Sequence, residues 1–173
     1  LIEVTGSVGD WAGAELRGGQ LRIHGSAGRC VGGASRGGLR GMTGGEIIVH
    51  GDCGEEAGQA MRRGLLAIGG AVGAGVGFGM LAGTIAVAGT IGRMPMAGMK
   101  RGTLLALSPA IPLLPSFRES ALGELVAVRL VVRRLVALGL PRFTRLIEQP
   151  LRRYWGDFNE LGRGEIFCPL GNV

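Results

Sequence analysis

Gly45-Glu-Ile-Ile-Val-His-Gly51, Gly64-Leu-Leu-Ala-Ile-Gly-Gly70 and Gly83-Thr-Ile-Ala-Val-Ala-Gly89 share one pattern, G-x-[LI]-x-[IV]-x-G. It also fits Gly19-Gln-Leu-Arg-Ile-His-Gly25, and the chain begins on its last part, Ile2-Glu-Val-Thr-Gly6. Gly102-Thr-Leu-Leu-Ala-Leu-Ser108 follows it with Ala and Ser substituted. The closing positions are 6, 25, 51, 70, 89 and 108, so the spacings are 19, 26, 19, 19 and 19. Three residues later stand Gly9, Gly28, Gly54, Gly73 and Gly92, and four further on Gly13, Gly32, Gly58 and Gly77, with Met96 in the last copy. Three residues before each opening Gly sits Leu16, Met42, Met61, Met80 or Met99. The second copy carries seven extra residues within Val31 to Gly41.

A recurring period of this length is the mark of a stacked architecture. The alternating L-x-I pair reads as a short strand with one face inward. One such strand cannot bury its apolar face alone, but copies stacked every 19 residues form a parallel sheet and a continuous core. Parallel neighbours need a long return connection, which the Gly-rich half of each copy supplies. We therefore expect an all-β fold, a right-handed parallel β-helix of about 19 residues per rung, with a small helical C-terminal extension. Six rungs would stand roughly 25 Å tall at the strand spacing of a sheet. The repeated Met is read as an adaptable core filler. A hexapeptide β-helix would need a six-residue aliphatic period, and there is none.

The repeat explains the composition. Gly makes up 35 of 173 residues, nearly threefold the average usage of about 7%. Apolar residues reach 46% and mean hydropathy is +0.33, which excludes a disordered chain. No Gly-X-Y triplet runs through it, which excludes collagen. Gly64 to Gly92 carries no charge, and hydropathy alone would read it as a membrane helix with GxxxG contacts. It keeps the 19-residue phase of the charged rungs around it, so it reads as two rungs of the same ladder. Its lack of charge implies that one face is covered, by the C-terminal part or by a partner.

The net charge of +6 lies wholly in residues 93–173. A basic half can serve nucleic acid, an anionic membrane or an Arg-rich protein interface. No aromatics interleave with a basic run, which argues against single-stranded nucleic acid. Cys30, Cys53 and Cys168 form no CxxC pair and are read as reduced thiols. His24 and His50 share one rung position and point outward, one above the other. They are either surface histidines or part of a site, but the ladder offers no third metal ligand. Asp10, Asp52, Glu55 and Glu56 fall near turns and lack a nucleophile or base motif, so solvated turn charges are the plainer reading. Arg17, Arg62, Arg63, Lys100 and Arg101 flank the Met position and could form a stripe for an anionic partner or cofactor tail. No catalytic or metal set is found.

The pattern stops at Ser108. Pro109, Pro112 and Pro115 read as a rigid linker over 109–117. Helical spacing then runs from Arg118 to Leu138, apolar at Ala121, Leu125, Val128, Val132 and Leu135 and widened by Leu122, Val126, Leu130 and Val131. Gly139 and Pro141 end it. A second short helix is expected over Thr144–Gln149. The end, from Tyr154-Trp155-Gly156-Asp157-Phe158 through Gly162-Arg163-Gly164-Glu165-Ile166, mixes turns with a final strand that could cover a ladder edge. The organisation expected is a solenoid over 1–108, truncated at its N-terminus, the linker, and a capping extension over 118–173.

The G-x-x-x-I-x-G-x-x-G rungs with Met, followed by Gly156-Asp157 and Gly162-Arg163-Gly164-Glu165-Ile166, resemble the C subunit of formylmethanofuran dehydrogenase. They are similar also to its bacterial counterpart, the C subunit of the formyltransferase/hydrolase complex. The rungs alone resemble the C-terminal domain of glutamate synthase, and the tail after Ser108 favours the first family. The resemblance implies a non-catalytic β-helix subunit of a cytoplasmic C1-metabolism complex, in methanogenesis or methylotrophy. It implies amidohydrolase-like, formyltransferase and molybdopterin-type partner subunits, and neither nucleic acid nor membrane as partner. A methanofuran-type carrier, tetrahydromethanopterin, zinc and a molybdenum or tungsten pterin would then belong to those other subunits. Relatives carry a segment before the first rung, which implies that the present chain is the later part of a longer one. The Arg-rich tail leans towards the hydrolase complex. The alternative is a glutamate synthase-like amidotransferase domain.

Overall fold

The structure is a computed structural model and describes residues 1–121 and 125–171. Each copy of the repeat forms one short strand: β1 Ile2–Val4, β2 Gln20–Ile23, β3 Glu46–Val49, β4 Leu65–Ile68, β5 Thr84–Val87 and β6 Arg101–Ala106. All six pair in parallel with their sequence neighbours. The register is the repeat itself: Leu21 lies beside Ile47, Ile47 beside Leu66, Leu66 beside Ile85 and Ile85 beside Leu104. A second parallel ladder of single bridges runs Val8, Ala27, Cys53, Val72, Ile91. On a further side Gly58 N–H donates to Val31 O and Gly77 N–H to Ala57 O, each at 2.8 Å. Each rung is thus hydrogen-bonded to the next along several edges, which satisfies backbone groups that a loop would leave to water.

Alternation decides where each side chain goes. Ile23, Ile47, Val49, Leu66, Ile68, Ile85, Val87 and Leu104 point between the ladders and are fully buried. Met42, Met61, Met80 and Met99 are fully buried among them. The seven extra residues leave the stack as a loop around exposed Leu39. Gly41 N–H rejoins at Ala60 O and Thr43 N–H at Leu16 O, so the insertion costs no register.

The closing glycines from Gly25 to Gly89 are demanded by approach. A Cβ on Gly89 would stand 2.5 Å from the Ala71 nitrogen and the Gly70 oxygen, both backbone. Gly9, near the open end, would meet nothing within 4 Å.

The uncharged face is covered by the C-terminal segment. Helix α1 spans Val126–Ala137 and lays Val128, Val132 and Leu135 on Ile48, Leu65, Ala67, Ala86 and Leu105. Those ladder residues occupy the outward alternate positions, which explains why they are apolar. Arg134 grips Glu46 by two hydrogen bonds of 2.6 Å, across 88 residues of sequence. The helix ends in a Schellman turn: Gly139 has φ +89°, its N–H donates to Val136 O, and Leu140 N–H donates to Leu135 O. A 3₁₀ turn at Pro141–Thr144 and a short α2 at Arg145–Glu148 follow, burying Phe143 and Leu146.

The expected helix from Arg118 is corrected at its start. Arg118–Ser120 is strand β7, paired antiparallel with β8 (Leu151–Trp155), which pairs antiparallel with β9 (Arg163–Pro169). Three residues cannot show a period, and here sheet partners override the helical spacing. Leu122 lies outside the described residues. The expected final strand is β9, and it extends the ladder in parallel with β6, Leu104 beside Ile166. The described residues form one nine-stranded sheet with two short α-helices, and the helical C-terminal extension is present. Phe117 is buried, and Ile111, Leu113 and Leu114 lie against the core. Among the described residues no helix is long and apolar enough to cross a membrane.

Gly89→Ala should cost about 2 kcal/mol or more by forcing rungs apart, a fall in Tm of roughly 4–8 °C for a chain of this size. Gly9→Ala should cost less than about 0.5 kcal/mol. Thermal melts followed by circular dichroism decide it, and equal losses would contradict the packing argument.

Candidate functional site

The rung register brings the repeated basic residues together. Residues just after the buried Met stack in a column, held by Arg62 N–H to Met42 O, Leu81 N–H to Met61 O and Lys100 N–H to Met80 O. Arg62, Arg63, Lys100 and Arg101 surround a groove of about 470 Å³ floored by Leu81, Ala82 and Gly83, with Leu161 at its side. The intermediate rung is uncharged, so the two basic pairs stand two rungs, about 10 Å, apart. Glu160 approaches Lys100 at 3.9 Å, a loose and exposed contact. Among the described residues the three arginines have no ion-pair partner. Four cations around one groove give it a positive field. Arg17 does not join it and lies in a neighbouring groove with Glu15 and Arg40.

The two histidines form the column that their shared rung position implies. Their rings lie 5.2 Å apart and 5° from parallel. His24 Nε2 is 2.7 Å from Glu3 Oε1. Burial lowers the pKa of His50, with the charges of His24 and Arg22 adding to it. That environment favours the neutral form of the His50 imidazole. Above it stands Gly69, and beside it Arg142, whose Nη1 donates to Gly69 O at 2.6 Å. Arg142 was not foreseen: it lies 73 residues from Gly69 and carries no motif. Among the described residues there is no group of three His, Cys, Asp or Glu able to hold a metal.

Three of the four turn acids, Asp10, Asp52 and Glu56, tie one rung to the next. Asp10 accepts from Arg29 N–H at 2.8 Å and Asp52 from Ala71 N–H at 2.7 Å, one rung joined to the next. Glu56 takes the Cys30 thiol at 3.7 Å. The cysteines are all buried. Burial, helped by Asp52, pushes the Cys53 thiol up to about 12, and burial pushes Cys168 up to about 11. Burial and then Glu56 raise Cys30. Thiols so held are poor nucleophiles.

Among the described residues Asp157, in the Gly156-Asp157 pair, is the one charged residue that is buried, 2% exposed. Burial raises its pKa, but donation from the Gly98 and Asn159 N–H groups lowers it, and it lies below the usual value. Gly98 N–H donates to it at 2.8 Å and ties the tail to the fifth rung. No sequence spacing announces that contact.

The fold defines the class first: a stack of repeated parallel rungs, closed by a C-terminal strand and helix, with its exposed chemistry in a basic groove and an imidazole column. Comparison with known proteins then gives the particular likeness. The chain resembles the C subunit of the formyltransferase/hydrolase complex. It is 46% identical over 57 residues to the C subunit of the complex Fhc from Methylorubrum extorquens, 33% of this chain and 21% of that protein. It also matches a chain in the crystal structure of the complex FhcABCD from Methylorubrum extorquens with methylofuran, at TM-score 0.88 and 41% identity. That match covers 96% of the present chain and 62% of the other. No family model matches the sequence.

The buried groups make two predictions. At pH 8 all three thiols should resist a disulfide reagent in the folded chain and react at once in denaturant; fast labelling of the native chain would contradict their burial. Glu46, through its Arg134 hydrogen bonds, and Asp157 both have lowered pKa values in the fold. Their stabilisation is complete above the unfolded carboxyl values near 4 and is lost as pH falls through the folded values. The double variant Glu46→Gln, Asp157→Asn should therefore lose less stability than the parent between pH 5 and 3, measured by thermal melts at each pH. A steeper acid loss in the variant would contradict this.

Proposed function

We propose that this chain is a structural, non-catalytic subunit of a formyltransferase/hydrolase-type complex in C1 metabolism. The observation that carries the reading is the structural likeness to a chain of that complex, which covers 96% of the present chain and 62% of the other. We read the stack as a right-handed parallel β-helix over 1–108, joined through 109–117 to a capping extension over 118–173. Two observations support that reading: sequential strands pair in parallel after 19-residue returns, and parallel connections are overwhelmingly right-handed.

In this reading formyl transfer and hydrolysis take place on an amidohydrolase-like and a formyltransferase subunit in the cytoplasm. Tetrahydromethanopterin, a methanofuran-type carrier and metal ions are handled there. The hydrolase complex is preferred over a dehydrogenase with a molybdenum or tungsten pterin, because the likeness runs to the former. The structural role is supported by how the candidate acids are used, since Asp10 and Asp52 are spent on rung-to-rung hydrogen bonds. Surfaces suited to partners are the basic groove and the outer face of α1, where Val126 and Leu130 are each 59% exposed beside Arg129 and Arg133. Both would suit partner surfaces rich in carboxylates.

Affinity purification of the tagged chain from its native host, with mass spectrometry of what accompanies it, tests the proposal. The expected companions are hydrolase and formyltransferase subunits. Arg62→Glu with Arg63→Glu should lower their recovery about tenfold at physiological salt while leaving the melt of the chain unchanged. A lone monomer would overturn the reading.

A further inference from the structure

We propose that the cavity between His50 and Arg142 is a binding site for a carboxylate. It goes beyond the structural role and does not depend on it. The cavity arises from one rung position. His24 and His50 fill that position on two successive rungs, and Gly69 fills it on the next. A Cβ on Gly69 would run into the backbone carbonyl of His50, so close stacking requires glycine there. The column therefore has no side chain above the His50 ring.

The C-terminal segment roofs this gap without filling it. The Schellman turn at Gly139 delivers Leu140, Pro141 and Arg142 over the imidazole, leaving a cavity of about 230 Å³ lined by these residues, His50 and Gly69. A water occupies about 30 Å³ of liquid, so a short organic acid fits.

The chemistry of the lining selects a carboxylate. Arg142 Nη1 is held by Gly69 O at 2.6 Å, which fixes the guanidinium, and Arg142 has no carboxylate partner among the described residues. A held guanidinium keeps further N–H groups in the fork that matches a planar carboxylate. The His50 ring has no hydrogen-bond partner among the described residues, whereas His24 is engaged by Glu3. A neutral imidazole there can donate one N–H. One fixed cation and one neutral donor, with Arg22 adding positive field, balance a monoanion. A phosphate dianion would lack a second close cation. Leu140 and Pro141 offer an apolar wall to a short carbon chain.

The test is a titration of the full chain with sodium acetate at pH 7 and constant ionic strength, chloride replaced in step. The imidazole C–H resonances of His50 and His24 are followed by NMR. The His50 resonance should move to saturation, and that of His24 by much less. Arg142→Ala, at an exposed position, should weaken the midpoint at least tenfold, and Arg142→Lys, which keeps charge without the fork, several-fold. Unchanged tryptophan resonances report an intact fold in both. A linear drift of His50 without saturation, or an unchanged midpoint in both variants, would overturn the proposal. Sodium phosphate binding more tightly than acetate would overturn the assignment to carboxylates.

Discussion

Everything in this molecule depends on one backbone stacked directly on the previous one, in register, at the spacing of a sheet. Rung-to-rung hydrogen bonds hold that register on several edges, including the strand ladder and the bridges from Val8 to Ile91. Glycine is what allows it at the corners, as the backbone contacts facing Gly89 show. The same spacing aligns side chains into columns. Buried columns make a narrow core of aliphatic residues and methionines, and this accounts for an aromatic content of only 5%. Exposed columns make surfaces, of which the groove around Arg62 and Lys100 and the pair His24–His50 are the clearest.

The rungs were legible in the sequence because each is a local copy of one rule. The 19-residue offset became the pairing register, and the seven extra residues became a loop. The outward pair of histidines and the stacking of basic residues followed from that rule. The covered face was legible as well, from missing charge. The tail was legible only in part, because no repeat governs it. Arg118–Ser120 carries helical spacing but takes a sheet partner, and β8 begins at Leu151, before the stretch from Tyr154 that reads as turns and a final strand. The contacts that fix the tail join residues far apart: Arg134 to Glu46, Arg142 to Gly69 and Asp157 to Gly98. A single sequence gives no sign of such pairs, since each is one polar residue at an unremarkable place. The histidine column was therefore foreseen, and the arginine that turns it into a cavity was not.

The tail does more than cap the stack. Strand β9 continues the ladder beyond β6, while α1 covers the outward apolar face. Without them the long parallel edge and that face would both invite association. Among the described residues the exposed features then include a basic groove, a helix face with Val126 and Leu130, and the imidazole cavity, besides the first rung with exposed Leu1 and Ile2. Under the proposed structural role, these surfaces are where partner subunits would dock.

The central claim is that this chain organises its partners. The most direct measurement is the light-scattering mass of the hydrolase and formyltransferase subunits mixed with and without it at equal concentrations. The account predicts a single large assembly when the chain is present and separate smaller species when it is left out. The same assembled mass in its absence would contradict the claim.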